Sequence, residues 1–448
     1  MRLSKVAESA AGKNSGTRIR QLDLIRAVSI WVVVIAHAFM GVVVWGKDIS
    51  LNNLLAVFPN LQILSWFLQV MPLFFIAGAA ANALSFRSGS ARNQPYSVWL
   101  YRRSSRLLAP VIWYLMAIIL LSFGLTAIFD GVVVQYFLNL STQLLWFLGV
   151  YLLMTALTPL WVTLAKNFTT AAGLIFVAVV VVDIFRFQNP AFGLANFVFG
   201  WGLISLTGVW LLEQLSQVSI TNRNLLISIS ILLAIEISLV ILQIYPLSLV
   251  GLPGAEFSNM APPSALLVLH GILQALLWIR FKTWLETLTN KPKVWQFSIS
   301  TNLAAMSIYL WHLPILMGLH SLLNALGIKL HTPTTDSFSA WYFVELLFLI
   351  LLTITLVQAW IQYAYLLENL IPKIPTSKRI WLGNGALSFF SAIAAAISLL
   401  MFSVVGPYNF PNQVVTFSGL NWTNGQSILA FGVGLLGIWG STKFANKN

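Results

Sequence analysis

Of the 448 residues, 58% are hydrophobic and only 8% charged, against roughly 45–50% apolar and 25% charged in soluble domains, which excludes a soluble globular enzyme. Cysteine is absent, so disulfides, thiolate metal sites and a cysteine nucleophile are excluded too. The net charge of +13 is scattered over helix ends rather than gathered on one face, which argues against nucleic acid as a partner.

Residues 1–20 are polar and basic and lack the apolar core and cleavage site of a signal peptide; they read as a retained cytoplasmic tail. Apolar stretches then recur at about 27–45, 61–84, 107–128, 143–165, 171–185, 191–212, 224–245, 264–281, 303–325, 341–365, 381–405 and 426–441. Most are long enough to cross a hydrocarbon core of about 30 Å as helices. The expected fold is all-α, a polytopic transmembrane helical bundle of about 10–12 spans. It forms one domain over 21–441, followed by a short cytoplasmic tail, 442–448. The fifth and last spans are short enough to be tilted or re-entrant. A cytoplasmic N-terminus puts 22 of the 25 Lys and Arg residues on the inner side and leaves Lys47, Arg186 and Lys329 outside, as the positive-inside rule requires. The longest outer loops, 46–60, 245–264 and 405–426, are rich in Asn, Pro and Gly and suited to capping a cavity. No internal repeat and no inverted pair of Gly/Pro-broken segments points to a transporter.

The first span holds the most informative residues. Arg26 stands at its mouth and His37 in its middle, eleven residues apart, on one helix face with roughly 16 Å of rise between them. Asp23 joins that face and is spaced to pair with Arg26. An ionisable group inside a membrane helix normally faces a protein-lined or watery path. An imidazole with a pKa near 6.5 can take a proton from an attacking hydroxyl and return it to a leaving group. His37 therefore reads as the chemical centre, against the alternative of a histidine that only packs between helices. Between the second and third spans, Tyr101-Arg102-Arg103-Ser104-Ser105-Arg106 leads into an apolar helix. Guanidinium forks suit phosphate oxygens, so Arg102, Arg103 and Arg106 are candidates for acyl-CoA phosphates; a plain positive flank or an anchor to anionic lipid is the other reading.

His312 lies in Tyr309-Leu310-Trp311-His312-Leu313-Pro314, inside the ninth span. His312 and His320 are offset by roughly 80° around a helix, poor geometry for a shared metal, and no metal is expected. Glu236 and Glu345 fall inside spans seven and ten as hydrogen-bonders, proton carriers or supports for a site. His331-Thr332-Pro333-Thr334-Thr335-Asp336 has a His-x4-Asp spacing, but in a short outer loop away from cytosolic acyl-CoA. No Gly-x-Ser-x-Gly elbow or phosphate-binding Walker loop is present.

At these residues the chain resembles the acyltransferase 3 family of membrane-bound O-acyltransferases. Leu22-Asp23-Leu24-Ile25-Arg26-Ala27 with His37 is similar to that family's Leu-Asp-x-x-Arg-Ala opening and Arg-x10-His signature. Arg102 to Pro110 resembles its Arg-Arg-x-x-Arg-[Ile/Leu]-x-Pro element, Trp146-Phe147-Leu148 its Trp-Phe-Leu helix opening, and Tyr309, His312 and Pro314 its Tyr-x-x-His-x-Pro. The matches run in the family's order across about residues 21–320. One element departs: Phe74-Phe75-Ile76-Ala77-Gly78-Ala79-Ala80 keeps the glycine of Phe-Phe-x-x-Ser-Gly-Phe and loses its serine and final aromatic. The chain looks like a stand-alone form without the fused extracytoplasmic domain of some members.

The resemblance implies a bacterial cytoplasmic (inner) membrane enzyme that moves a short acyl group, often acetyl, from cytoplasmic acyl-CoA to a hydroxyl of a carbohydrate, lipid-linked glycan or other envelope acceptor. Acyl-CoA is then a co-substrate, with no bound cofactor, and membrane lipid is the surrounding partner. His37, Arg26 and Asp23 would form the catalytic set, with His37 as general base. Arg102, Arg103 and Arg106 would hold the donor, and Tyr309, His312, Trp146, Glu236 and Glu345 would shape the pocket. The rival reading is a proton-coupled transporter or exporter of a lipid-linked saccharide or small anion, in which His37, Glu236 and Glu345 relay protons. A structural or regulatory membrane protein is the third.

Overall fold

The computed structural model describes residues 18–44, 50–128, 131–216, 222–328, 330, 340–368, 384–417 and 420–442. The His331–Asp336 segment, nearly all of the N-terminal tail and all but the first residue of the C-terminal tail lie outside these. In chain order the elements are α1 (Arg20–Met40), β1 (Gly41–Val44), β2 (Ser50–Asn53), α2 (Leu54–Val57), α3 (Leu64–Leu68), α4 (Met71–Ser90), α5 (Tyr96–Ile128), α6 (Gly131–Gln143), α7 (Leu145–Ala156), α8 (Thr158–Leu164) and α9 (Phe168–Gln188). There follow α10 (Asn196–Ser216), α11 (Asn222–Ile241), α12 (Ala265–Arg280), α13 (Lys282–Thr289), α14 (Pro292–Leu303), α15 (Ala305–Ala325), α16 (Ala340–Glu368), α17 (Gly385–Val405), β3 (Val414–Phe417), β4 (Leu420–Thr423) and α18 (Asn424–Gly440). The fold is all-α apart from two small antiparallel hairpins, β1–β2 and β3–β4.

Among the described residues, ten helical stretches are long and apolar enough to cross a membrane, and eleven if the bent pair α12–α13 counts as one. Their outward faces are what a bilayer requires. On α11 only Leu225 and Glu236 are buried, while Ile231 and Ile241 are 54% and 73% exposed. Surfaces this apolar are stable where lipid, not water, covers them. The chain is an integral membrane protein.

Three boundaries differ from the sequence expectation. The first span begins at Arg20 and stops at Met40 rather than covering 27–45, because the β-branched run Val42-Val43-Val44 pairs with Ser50–Leu51–Asn52 as a hairpin. The expected break between spans four and five falls instead at Leu157. Pro159 has no N–H to return to the Thr155 carbonyl, which accepts from Thr158 Oγ1 at 2.8 Å instead, and a 3-10 turn over Ala165–Asn167 carries the chain on into α9. The third span starts at Tyr96 rather than 107, which places Arg102, Arg103 and Arg106 on helix.

The chain forms two compact units: Met1–Ala83 with Leu160–Ala305 and Leu319–Leu356, and Leu84–Pro159 with Met306–Gly318 and Val357–Asn448. In the first, α10 lies backbone-close to α4. Gly208 abuts the Ile76 backbone, leaving no room for a Cβ, and the Phe75 and Trp201 rings stack at 4.3 Å. The start of α1 is moored by Gln21, which is 3% exposed: its Oε1 accepts from Trp278 Nε1 at 2.7 Å and its Nε2 donates to Glu286 Oε1 at 3.2 Å. Further along, Asn302 Nδ2 donates to the Asp23 carbonyl at 2.7 Å and Trp31 Nε1 to Thr301 Oγ1 at 3.2 Å, so α14 runs beside α1.

In the second unit, α17 packs against α18 and α7 at glycines. A Cβ on Gly434 would sit 2.8 Å from the Ser391 carbonyl oxygen, and one on Gly149 2.6 Å from that of Ala396. Asn424 Nδ2 ties the following loop by donating to the carbonyls of Gly406 and Tyr408 at 3.1 and 3.0 Å.

Gly208→Leu should lower stability by about 1–3 kcal/mol through overpacking, whereas Gly173→Ala, which meets open space, should be near neutral. Thermal unfolding of the two purified variants in detergent checks the contrast.

Candidate functional site

On α1, Asp23, Arg26 and His37 do not form the expected set. Asp23 is taken by Arg18, whose Nε and Nη2 donate to its two carboxylate oxygens at 2.7 and 2.9 Å. That bond is the main reason the Arg18 guanidinium pKa is raised above its ordinary value. Arg26 is left to a different environment. Its guanidinium lies 5.5 Å from the centre of the Phe74 ring, and its Nε is sealed from solvent with no hydrogen-bond partner among the described residues. The aromatic face offsets part of the cost of a half-buried charge, while the guanidinium keeps donor capacity unused. Phe74 belongs to the Phe-Phe element that the sequence comparison singled out.

His37 sits in the last turn of α1, not mid-span, because the helix ends at Met40. It is half-buried, with a ring hydrogen bond to the Val33 carbonyl one turn back. Tyr342 and Leu346 of α16 pack with Val42 and Phe39, so the start of α16 meets the end of α1 that carries His37. Glu345, half-buried, lies between those two anchors. A small, mostly apolar pocket lined by Ala36, Phe39, Met40, Leu55, Leu64, Ser65, Leu68 and Val250 opens at the same end.

Glu236 is fully buried and meets a histidine to which the sequence reading gave no role. His270 Nδ1 lies 3.0 Å from Glu236 Oε2, and His270 Nε2 lies 3.0 Å from the Trp66 carbonyl oxygen. The carbonyl can only accept, so Nε2 carries a proton. Between Nδ1 and the carboxyl there is then one further proton, held by either partner. The 34 residues between Glu236 and His270 hide the pair from spacing rules. Glu236 is thus a clamp between α11 and α12 rather than a lone intramembrane acid.

A second polar hub was also missed. Asp183 of α9, 1% exposed, accepts from Asn196 Nδ2 at 3.0 Å, Tyr245 Oη at 2.8 Å and the Ala265 backbone N–H at 2.7 Å. Arg186 Nη1 stands 3.9 Å from its Oδ1. Arg186 also donates to the carbonyls of Pro262 and Ser258 at 3.0 and 2.9 Å and lies 4.0 Å over the Phe257 ring. The 245–264 loop is therefore fastened to α9. Burial and the Asp183 carboxylate push the Tyr245 phenol up, so it stays a donor well above neutral pH.

In the second unit, Arg102 and Arg106 are exposed and one turn apart on α5, while Arg103 is half-buried with its Nε sealed from solvent. The open pair is thus Arg102/Arg106. Tyr309 and His312 come together on α15, with ring centres 6.0 Å apart. Tyr309 Oη donates to the Leu144 carbonyl at 3.1 Å and its ring packs 4.9 Å from Phe147. Trp146, half-buried, stands edge-on to Phe147 at 6.3 Å. His312 is fully buried, its Nδ1 3.2 Å from the Ile308 carbonyl. Tyr114, absent from the sequence candidates, donates to the Ser141 carbonyl and abuts Trp311. Among the described residues no group of three His, Asp or Glu side chains is placed to hold a metal.

Glu236→Ala should cost about 3–5 kcal/mol, the penalty for stripping one partner from a buried pair, whereas Arg18→Ala, at a partly exposed pair, should cost under about 1 kcal/mol. Denaturation of both variants in one detergent provides the comparison.

Comparison with curated proteins and with solved structures returned no match. A protein-family model described as "Acyltransferase domain" matches residues 19–361, a stretch that holds α1 with Arg26 and His37, the α5 arginines and the Tyr309–His312 pair. The chain belongs to this acyltransferase 3 family and is an integral membrane acyltransferase, for which an acyl-CoA-type donor and a membrane or envelope acceptor are the family's general co-substrates.

Proposed function

We propose that the protein transfers a short acyl group, acetyl in the first instance, from cytoplasmic acyl-CoA to a hydroxyl of a carbohydrate, lipid-linked glycan or other envelope acceptor. The observation that carries the reading is the pairing on one helix of His37 with Arg26, a guanidinium whose sealed Nε has no partner among the described residues. Unused donor capacity of this kind suits an anionic group, whether phosphate or the oxyanion that develops at a thioester carbonyl. His37 acts as general base: it takes the acceptor hydroxyl's proton as that oxygen attacks the thioester carbon. The C–S bond then breaks, and the proton passes to the departing CoA thiolate. Arg102, Arg103 and Arg106 hold the donor's phosphates, and exposure of Arg102 and Arg106 fits them to a soluble ligand. Tyr309, His312 and Trp146 are the proposed pocket residues of the second unit, and Asp23 acts through Arg18 at the mouth of α1.

The protein resides, in this reading, in a bacterial cytoplasmic membrane with its N-terminus inside. The distribution of Lys and Arg over alternate sides supports that orientation. Family membership supports acyl transfer over the transporter alternative, and His270 gives the Glu236 carboxyl a partner within the protein.

The test is release of free CoA by purified protein in nanodiscs supplied with acetyl-CoA and an envelope-glycan or lipid extract. His37→Ala should lose at least about 100-fold of turnover, the lower end of a general base's contribution, with its thermal stability little changed; turnover within a few-fold of wild type would refute the base assignment. Arg102→Ala and Arg106→Ala should raise the KM for acyl-CoA about tenfold and leave that for the acceptor unchanged, and equal effects on both would refute the donor-site assignment.

A further inference from the structure

We infer that α13 and the turns on either side of it form a seat for anionic phospholipid, at which phosphate headgroups bind the protein in the plane of the membrane surface. This goes beyond the acyl-transfer reading and does not rest on it. The first observation is the elbow: α12 is a buried, apolar helix, and the chain bends by 68° at Phe281 into α13. A helix leaving a span at that angle runs along the bilayer boundary rather than through it or away from it. The second is composition. Phe281 and Trp284, three residues apart on one stripe, are 50% and 61% exposed, although the adjoining Leu285 is buried against the protein. Aromatic rings with this exposure at the end of a span belong at the level of the headgroups.

The third observation is charge. Arg280, Lys282, Lys291 and Lys293 flank these rings, and among the described residues none of the four has a carboxylate partner. The two carboxylates near the same end do not answer them: Asp23 is held bidentately by Arg18, and Glu286 accepts from the neutral amide of Gln21. Arg20, which also lies here, sits 4.8 Å over the buried Trp295 ring and donates to Asn290 at 3.3 Å. The surface is therefore cationic beside an apolar edge, which matches a phosphodiester headgroup with its acyl chains below. Each basic residue near an anionic surface adds to the attraction. A soluble anion would use the cations and leave Phe281 and Trp284 in water; a lipid satisfies both.

The absence of cysteine makes the test clean, since a single introduced cysteine is the only labelling site. Trp284→Cys and Thr283→Cys, each labelled with an environment-sensitive fluorophore in the full-length protein, are placed in nanodiscs of phosphatidylcholine carrying a quencher at a shallow acyl position. Both labels should be strongly quenched, and the degree of quenching should rise when a third of the lipid is phosphatidylglycerol. Labels that remain unquenched would overturn the seat. In parallel, phosphatidylglycerol added to detergent-solubilised wild type should raise its thermal midpoint above that with phosphatidylcholine. A chain with Arg280, Lys282, Lys291 and Lys293 all changed to Gln should lose at least half of that difference. An undiminished difference would overturn the headgroup assignment, as would an equal effect of inorganic phosphate at matched concentration, which would point to a soluble anion instead. If the quadruple variant does not fold, the labelling arm still decides, because it leaves all four cations in place.

Discussion

Hydrocarbon supplies no water to a buried carboxylate, so each one must find its donors inside the protein. Asp183 and Glu236 show how this constraint organises the first unit. Asp183 gathers donors from α10, from the loop after α11 and from the start of α12, and with Arg186 it fastens a twenty-residue loop that has no regular structure. Glu236 is a buried polar residue by which the largely lipid-facing α11 holds on to α12. The charges are few, as the composition demands, and these two carboxylates act at a junction of elements. The apolar faces have no directional preference in lipid, so polar contacts of this type decide which helix docks where.

What the sequence could be read for follows the same physics. Apolar length is a local property, and the spans at Ala265–Arg280 and Ala305–Ala325 were legible to within about two residues at each end. Breaks within apolar runs were not: hydropathy alone favoured a gap at Lys166-Asn167, whereas the missing N–H of Pro159 sets the actual one at Leu157. The end of α1 was misread for a related reason, since Val42-Val43-Val44 is as hydrophobic as a membrane helix yet pairs as a strand. Among the site residues, the His37–Arg26 spacing could be read because both lie on one helix. His270, Tyr114 and the Asp183 hub could not, because each depends on at least one partner 27 or more residues away. Asp23 was legible as a residue to watch but not as the partner of Arg18, five residues earlier and outside the apolar run.

The arginines illustrate how one side-chain type serves three ends in one chain. Arg186 is buried, with carbonyl, carboxylate and aromatic partners, and acts as a structural rivet. Arg26 is half-buried against the Phe74 ring, its Nε without a partner among the described residues. Arg102 and Arg106 stand open on one helix turn, where long-range attraction and screening by salt govern what they meet. Degree of desolvation, more than charge, distinguishes the roles.

The glycine at position 149 carries a consequence for where this protein can be divided. Its bare backbone on α7 is covered by the Ala396 carbonyl and the Leu400 side chain of α17, a helix beyond the matched family segment, which ends at residue 361. A fragment cut at that limit would retain Arg26, His37, the α5 arginines and His312, yet it would expose a shallow notch on α7 shaped to receive another helix. The terminal helical hairpin is therefore part of the packing of the second unit and not an appendage to it.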